Sequence, residues 1–339
     1  MASISRARLA GAVSAAGGLG FIGSAMMSPD EVRREVEELR RLTDKPFGLN
    51  FFVHAEPRRY EAREARMRER LEEYRQELGA GEFPELGAPP PFDHAMLELV
   101  FELAPPVVSF HFGVPDASSR EALRAAKIRI FASATSVVEA RALEAWGVDA
   151  VIAQGFEAGG HRATFASRFS DGELGLFALV PQIVDAVSVP VIAAGGIADG
   201  RGIAAARMLG AAAVQMGTAF LGCPEADIDP SYRNVLGSTR AARTRVTKLF
   251  SGRPARTIVT RFLEEMAESE SDTPEYPLQR AWTQWLSKAA LARNDLEFSA
   301  FWAGQAAPLV RAMPASELVL RLEREAAAAL AGAGTTPST

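Results

Sequence analysis

From residue 17 to about residue 222 the chain alternates short, near-continuous apolar runs with amphipathic stretches, and this rhythm limits its fold more than any other feature. Seven runs read as strands: Gly17–Gly23, Pro46–Val53, Pro106–Phe112, Ile128–Ala134, Asp149–Gln154, Val189–Ala194 and Ala212–Leu221. A strand that is apolar at nearly every position must be buried on both faces, the condition of a parallel sheet covered by helices. Helical spacing over Pro29–Leu42, Ser118–Ala126, Ser136–Ala145, Leu174–Val187 and Gly200–Leu209 supplies that cover. The expected fold is therefore α/β, a (β/α)8 TIM-type barrel. Closure of such a barrel needs an eighth strand. Only sixteen residues precede Gly17, and Ser5–Ala15 reads as a helix, so the first strand is expected to be missing.

Two segments break the rhythm. Glu56–Leu78 carries charges of alternating sign and reads as a solvated helix. With the loop Gly79–Pro91 it forms an insertion, 56–91, in a barrel domain expected to span residues 1–222. Residues 223–331 read as a second, mainly helical domain or cap ending in a helix over Ala315–Ala331, and residues 332–339 as a disordered tail.

Composition excludes several classes of function. The chain has 339 residues, 48% apolar and 23% charged, which allows a large core and rules out disorder. Its 37 basic and 42 acidic residues, with no interleaved basic and aromatic stretch, give no nucleic-acid signal. The single cysteine, Cys223, excludes an internal disulfide and a cysteine-based zinc site, and reads as a small buried residue. Four scattered histidines without HExxH spacing leave no metal site. No run reaches the roughly 18 apolar residues of a membrane helix. The first 23 residues, broken by glycines, read as folded protein rather than a signal peptide, so a cytoplasmic location is the expectation.

Three glycine turns carry the chemistry. Ala193–Gly202 (AAGGIADGRG) follows an apolar strand and opens a helix, which predicts close backbone approach to a ligand and free helix N–H groups for an anion. Gln215–Thr218 (QMGT) ends the next strand and can donate to the same anion; the last two strands of such barrels are where phosphate binds. Gln154–Arg162 (QGFEAGGHR) ends the strand before them. There Gln154 suits a flavin ring edge, and His161, after a glycine pair, is expected on a flexible loop as a group that takes or gives a proton near neutral pH. His111 either lines the pocket or packs in the core, and His54 and His94 read as surface residues. The spacing in GGLGFIG does not match a Rossmann fingerprint.

At the motifs VSAAGGLGFIG, FGLNFF, VVSFHFG, VIAQGFEAGGHR, VPVIAAGGIADGRG, VQMGTAFL, LFSGRPAR and WAGQ the chain resembles the nitronate monooxygenase family, over residues 1 to about 325. The resemblance implies an FMN-dependent barrel with a helical second domain. It implies that Asn50, Gln154, Gly159, Gly196, Gln215, Met216, Gly217 and Thr218 contact FMN, and that His161 is the catalytic base or charge partner over the flavin. The implied reaction converts an alkyl nitronate, such as propionate 3-nitronate, and O2 into a carbonyl compound and nitrite. Partners would be these small molecules, with homo-oligomerisation left open. Two departures stand out. Family members begin with a further strand of the type P-I-I-Q-A-P-M-A-G, whereas this chain starts at Met1–Ala2, where that strand ends; Ala163 replaces the usual glycine and is expected to stiffen the histidine loop. Alternatives are an FMN-dependent NADH:quinone or enoyl-thioester reductase of the same fold, and a truncated, non-catalytic remnant. The charged insertion and the FGLNFF and VVSFHFG segments favour the monooxygenase.

Overall fold

The structure, a computed structural model, describes residues 1–88 and 91–333. The first half runs α1 (Ala7–Ala15), β1 (Gly20–Gly23), α2 (Pro29–Leu42), β2 (Phe47–Phe52), α3 (Glu61–Leu78), α4 (His94–Leu103), β3 (Val107–His111), α5 (Ala117–Ala125), β4 (Arg129–Ala134) and α6 (Val137–Trp146). It continues with β5 (Ala150–Gln154), β6 (Gly160–His161), α7 (Leu176–Val184), β7 (Val191–Ala194), α8 (Gly200–Met208) and β8 (Ala213–Gln215). The remainder comprises α9 (Pro230–Leu236), β9 (Thr244–Thr247), β10 (Ala255–Ile258), α10 (Arg261–Glu265), α11 (Gln279–Leu291) and α12 (Ala315–Ala333). Helix α12 thus runs two residues beyond its expected end; the rest of the expected disordered tail, 334–339, lies outside the described residues.

Seven strands form one parallel sheet in the order β1-β2-β3-β4-β5-β7-β8. Helices pack around it, an α/β, TIM-like arrangement curled into an incomplete barrel. Side chains alternate across the strands. Leu49, Phe51, Val108, Phe110, Ile130, Ala132, Val151 and Ala153 are buried in the core shared with the surrounding helices. Asn50, Phe52, His111, Ser133, Ile152 and Gln154 point to a cavity on the inner side. The helices start where the sequence signals them. In α2, Ser28 accepts from Glu31 N–H, the Glu31 carboxylate accepts from Ser28 N–H, and Pro29 takes the first helical position.

Among the described residues no strand lies between β1 and β8, as expected. The gap is flanked by other means. Ser3 N–H donates to Gly23 O (3.3 Å), Gly23 N–H to Ser5 O (2.8 Å) and Ser5 Oγ to Phe21 O (2.6 Å). The Met1 side chain reaches the Gly217 turn at the end of β8. Beside the gap, α12 packs on α8 and α1, and Leu9, Phe220, Leu318 and Leu322 share one apolar cluster.

One expectation is corrected. Helix α3 is not solvated on all sides: Met67, Leu71, Tyr74 and Leu78 form a buried stripe. It packs with Leu249, Phe250, Phe262, Leu263, Trp282 and Phe298 from the C-terminal part. Several of its charges pair with that part rather than along the helix, Arg66 with Asp272 (2.7 Å) and Glu77 with Arg261 (2.6 Å). The C-terminal part is mainly helical and also contains a small sheet, in which β9 and β10 pair antiparallel and β10 pairs with β6. We therefore propose a division in which α3 belongs with the C-terminal residues rather than with the sheet.

Leu71→Ala should destabilise the protein by about 2–5 kcal/mol, the usual cost of emptying a packed core site. Glu69→Gln, on an exposed position of the same helix, should stay within about 0.5 kcal/mol. Urea midpoints compare the two; equal, small shifts would mean that α3 does not pack.

Candidate active site

One cavity of about 530 Å³ lies at the C-terminal ends of the strands. All nine residues expected at the site line it: Asn50, Gln154, Gly159, His161, Gly196, Gln215, Met216, Gly217 and Thr218. They arrive from the ends of β2, β5, β7 and β8 and from β6.

At the β7 and β8 ends the backbone itself lines the cavity. Gly195 and Gly196 have φ of +113° and +70°, a conformation that L side chains rarely adopt. The N–H groups of Gly195, Gly196, Gly217 and Thr218 donate to no protein acceptor among the described residues. The expectation of free N–H groups at the start of α8 is corrected. Asp199 caps that helix and accepts from Arg201 and Gly202 N–H (2.9 and 3.4 Å), and the Glu325 carboxylate of α12 takes Gly200 N–H (3.2 Å). The N–H groups left without a protein acceptor therefore lie in the two turns and not at the start of the helix. Thr218 Oγ1 accepts from Gly304 N–H (3.0 Å), tying the β8 turn to the loop after Trp302.

His161 is not on a flexible loop, contrary to expectation. It pairs with Ala255 in the antiparallel sheet. Its carbonyl accepts from Gln154 Nε2 (2.9 Å) and from His111 Nε2 (3.0 Å). Gln154 Oε1 accepts from Ala163 N–H (2.9 Å), so the Gln154 carboxamide grips the histidine segment on both sides of Arg162. Of the glycine pair, Gly159 serves packing, since a Cβ there would stand 2.4 Å from Gly304 N, whereas Gly160 has open space beside it and a φ of +72°. Ala163 is fully buried in this clamp. Arg162 is also buried and donates to the carbonyls of Gly155 (2.6 Å), Gln154 (3.2 Å) and Gly172 (2.8 Å), fixing the end of β5.

Four rings surround the His161 imidazole, those of Tyr276 and Trp302 at 5.3 Å, Phe112 at 5.8 Å and Phe52 at 6.0 Å. Desolvation, reinforced by His111, Arg253 and Arg280, lowers its pKa to about 3. His111 lines the cavity and is likewise lowered to about 3 by burial, against the opposing effect of its bond to His161 O. Both rings are neutral at ordinary pH. His161 Nε2 lies 2.9 Å from Ser251 Oγ. Phe112, with φ of +73°, holds its ring under the Arg253 guanidinium at 3.9 Å, and Arg253 donates to Thr164 O. Asn50 Nδ2 donates to Ser109 Oγ (2.8 Å).

Reading of the residues alone did not find Ser251, Tyr276, Arg280 or Trp302. Ser251 and Trp302 sit inside LFSGRPAR and WAGQ, so a signal existed; Tyr276 and Arg280 had none. His54, expected at the surface, is half-buried with its ring against Tyr276 (5.2 Å), while His94 is exposed. Cys223 is buried, and burial pushes its thiol up to about 12. Among the described residues no cluster of metal-ligating groups occurs, and no helix is long and apolar enough to cross a membrane.

The family model for nitronate monooxygenase matches residues 1–325. A nitronate monooxygenase of Paraburkholderia phytofirmans is 44% identical over 337 residues, covering 96% of this chain and 90% of the relative. One from Pseudomonas aeruginosa is 45% identical over 337 residues, covering 96% and 94%. A solved structure of nitroalkane oxidase from Streptomyces ansochromogenes superposes with a TM-score of 0.90 at 40% identity, covering 98% of this chain and 96% of that one. Likeness of this extent makes the chain a member of the nitronate monooxygenase family of oxidoreductases.

Proposed function

We propose that the chain is an FMN-dependent nitronate monooxygenase that converts alkyl nitronates, such as propionate 3-nitronate, and O2 into carbonyl compounds and nitrite. The observation that carries this reading is a neutral, desolvated His161 in the same cavity as two glycine turns with unpartnered N–H groups. Four free donors and two left-handed glycines fit a phosphate monoester. Gly195, Gly196, Gly217 and Thr218 would hold the FMN phosphate, and Asn50, Gln154, Gly159, Gln215 and Met216 would line the rest of its bed. Bound there, a flavin supplies the electron chemistry between nitronate and O2.

The chain's own residues position the substrate and manage its charge and proton. With the Ser251 hydroxyl donating to Arg253 O (3.2 Å), Nε2 of His161 carries the ring proton and Nδ1 is the basic atom. The Gln154 and His111 bonds fix the backbone that carries this ring. Tyr276, Trp302, Phe52 and Phe112 exclude water around it. Arg253 stays charged at neutral pH although burial lowers it to about 10, so it keeps the potential positive for an anionic substrate.

A second reading has its own support. An unprotonated imidazole is equipped to remove the α-proton of a neutral nitroalkane, and the Streptomyces relative is described as a nitroalkane oxidase. Steady-state oxygen consumption and nitrite release with ethyl nitronate and with nitroethane separate the two. NADH oxidation with a quinone or an enoyl thioester in place of nitronate turnover would favour the reductases, and colourless purified protein would favour the remnant.

His161→Asn should keep its flavin and lose about 10²–10⁴-fold of kcat/KM on nitroethane, the usual contribution of a general base; near-parental kcat/KM would remove His161 from that role. Gly196→Val should lower flavin content in the purified protein, because a β-branched residue cannot relax into φ of +70°. Equal flavin content would count against the phosphate site.

The pH dependence has a definite sign. His111 and His161 are lowered to about 3 when folded, against about 6.5 when unfolded. The unfolded chain binds more protons between these values, so the stability contributed is present above pH 6.5 and lost as pH falls towards 3. Urea midpoints should fall from pH 6.5 to 4, less steeply in His111→Asn. With preformed nitronate, kcat/KM should show no limb near pH 6.5 in that range; a limb there would mean that His161 titrates normally.

A further inference from the structure

We infer that Arg280 is the residue that selects anionic substrates in this cavity, its guanidinium anchoring the negative charge of the entering nitronate. This rests on the nitronate-oxidising reading above and extends it to the chain's own specificity.

Helix α11 presents one polar face to the cavity. Arg280, Thr283, Gln284 and Ser287 recur every three or four residues and all line it, as does Tyr276 in the segment before the helix. Arg280 is the only arginine among the described lining residues, and no carboxylate pairs with it. The first turn of α11 holds no acidic residue. With its carboxamide oxygen turned towards the guanidinium, Gln284 lies 3.2 Å from Nε and 2.8 Å from an Nη. That neutral partner orients the charge without cancelling it. Other arginines near the site are already committed: Arg162 to three carbonyls, Arg253 to the Phe112 face and Thr164 O, Arg256 to Phe156 O. Asp229, also in the lining, is occupied in capping α9.

A partly buried charge without a counter-ion is costly, and an anion entering the cavity relieves that cost. The planar guanidinium fork matches the two oxygens of a nitronate group. Arg280 is also near enough to His161 to weigh against its protonation, which places it in the field of the reacting region. A neutral nitroalkane gains much less from the same group, so Arg280 biases the enzyme towards the anion.

The test uses flavin-loaded protein and nitrate, a planar anion resembling the nitronate end, titrated by the change in flavin absorption. Arg280→Gln should raise the nitrate dissociation constant about 10- to 100-fold, the scale of one charge-assisted hydrogen bond. It should raise KM for ethyl nitronate by a similar factor with a much smaller change in kcat, and Arg280→Lys should recover part of the loss. Gln284→Glu sets a carboxylate against the guanidinium and should weaken nitrate binding even if Arg280→Gln folds poorly. Parental nitrate affinity in both Arg280→Gln and Gln284→Glu overturns the inference. Nitrate binding that depends on Arg280 in a protein that turns over no nitronate would leave the anion anchor standing and remove the functional reading. Nitronate turnover with unchanged KM in Arg280→Gln would do the reverse.

Discussion

The backbone of His161 is where the two halves of the molecule are joined. Its two-residue strand pairs with β10, and its carbonyl receives hydrogen bonds from β3 through His111 and from the end of β5 through Gln154. A parallel sheet offers no spare edge at its C-terminal rim, so a segment there must find its partners elsewhere. The hairpin β9–β10 provides them, and Arg162 N–H continues the attachment to Pro254 O (2.8 Å). The same contacts that seat the C-terminal residues on the rim hold the imidazole in the cavity. Fold and site therefore cannot be loosened independently at this point.

That joint was the least legible part of the chain. The seven sheet strands could be located because each is a near-continuous apolar run, and the structure mainly trims their ends. The last run, read through Leu221, stops at Gln215 because Thr218–Gly222 coils into a 3-10 helix after the turn. Strand β6 has only two residues, and its pairing with Ala255 is set by a partner 94 positions away. The segments TRVT and ARTI are short and half polar, and their strand character comes from pairing. The glycine pair before His161 read as looseness, yet the space behind Gly159 is filled by Ala303–Gly304. Arg280 was hidden for a different reason: a polar helix face that lines a cavity looks, in sequence, like one that faces water.

Electrostatically the surroundings of the cavity combine arginines without paired carboxylates and histidines held neutral. Arg162 is buried and Arg253 half-buried; desolvation lowers both to about 10, and both are satisfied by carbonyls and ring faces instead of acids. Most other arginines carry their ion pairs on the outside, as Arg66 and Arg261 do. Burial keeps His161 and His111 uncharged, which spares the interior further positive charge. In the function proposed above, an anionic ligand would be attracted by fixed guanidinium groups rather than by a protonated imidazole.

The charged insertion belongs to this arrangement through packing. The stripe Met67–Leu71–Tyr74–Leu78, spaced by four, three and four residues, was present in the sequence but lay inside a run of alternating charge that masked it. It builds a core with Phe250, Phe262 and Phe298. The Phe250 ring meets Trp302 edge-on at 5.9 Å, and Trp302 lies 5.3 Å from the His161 imidazole. Helix α3 thus sets one wall of the aromatic box from the far side without touching the cavity itself. A close-packed interior transmits a lost side chain to its neighbours as a shift in position. The shape of the box that keeps His161 neutral is therefore set partly by a helix whose surface is among the most charged in the chain.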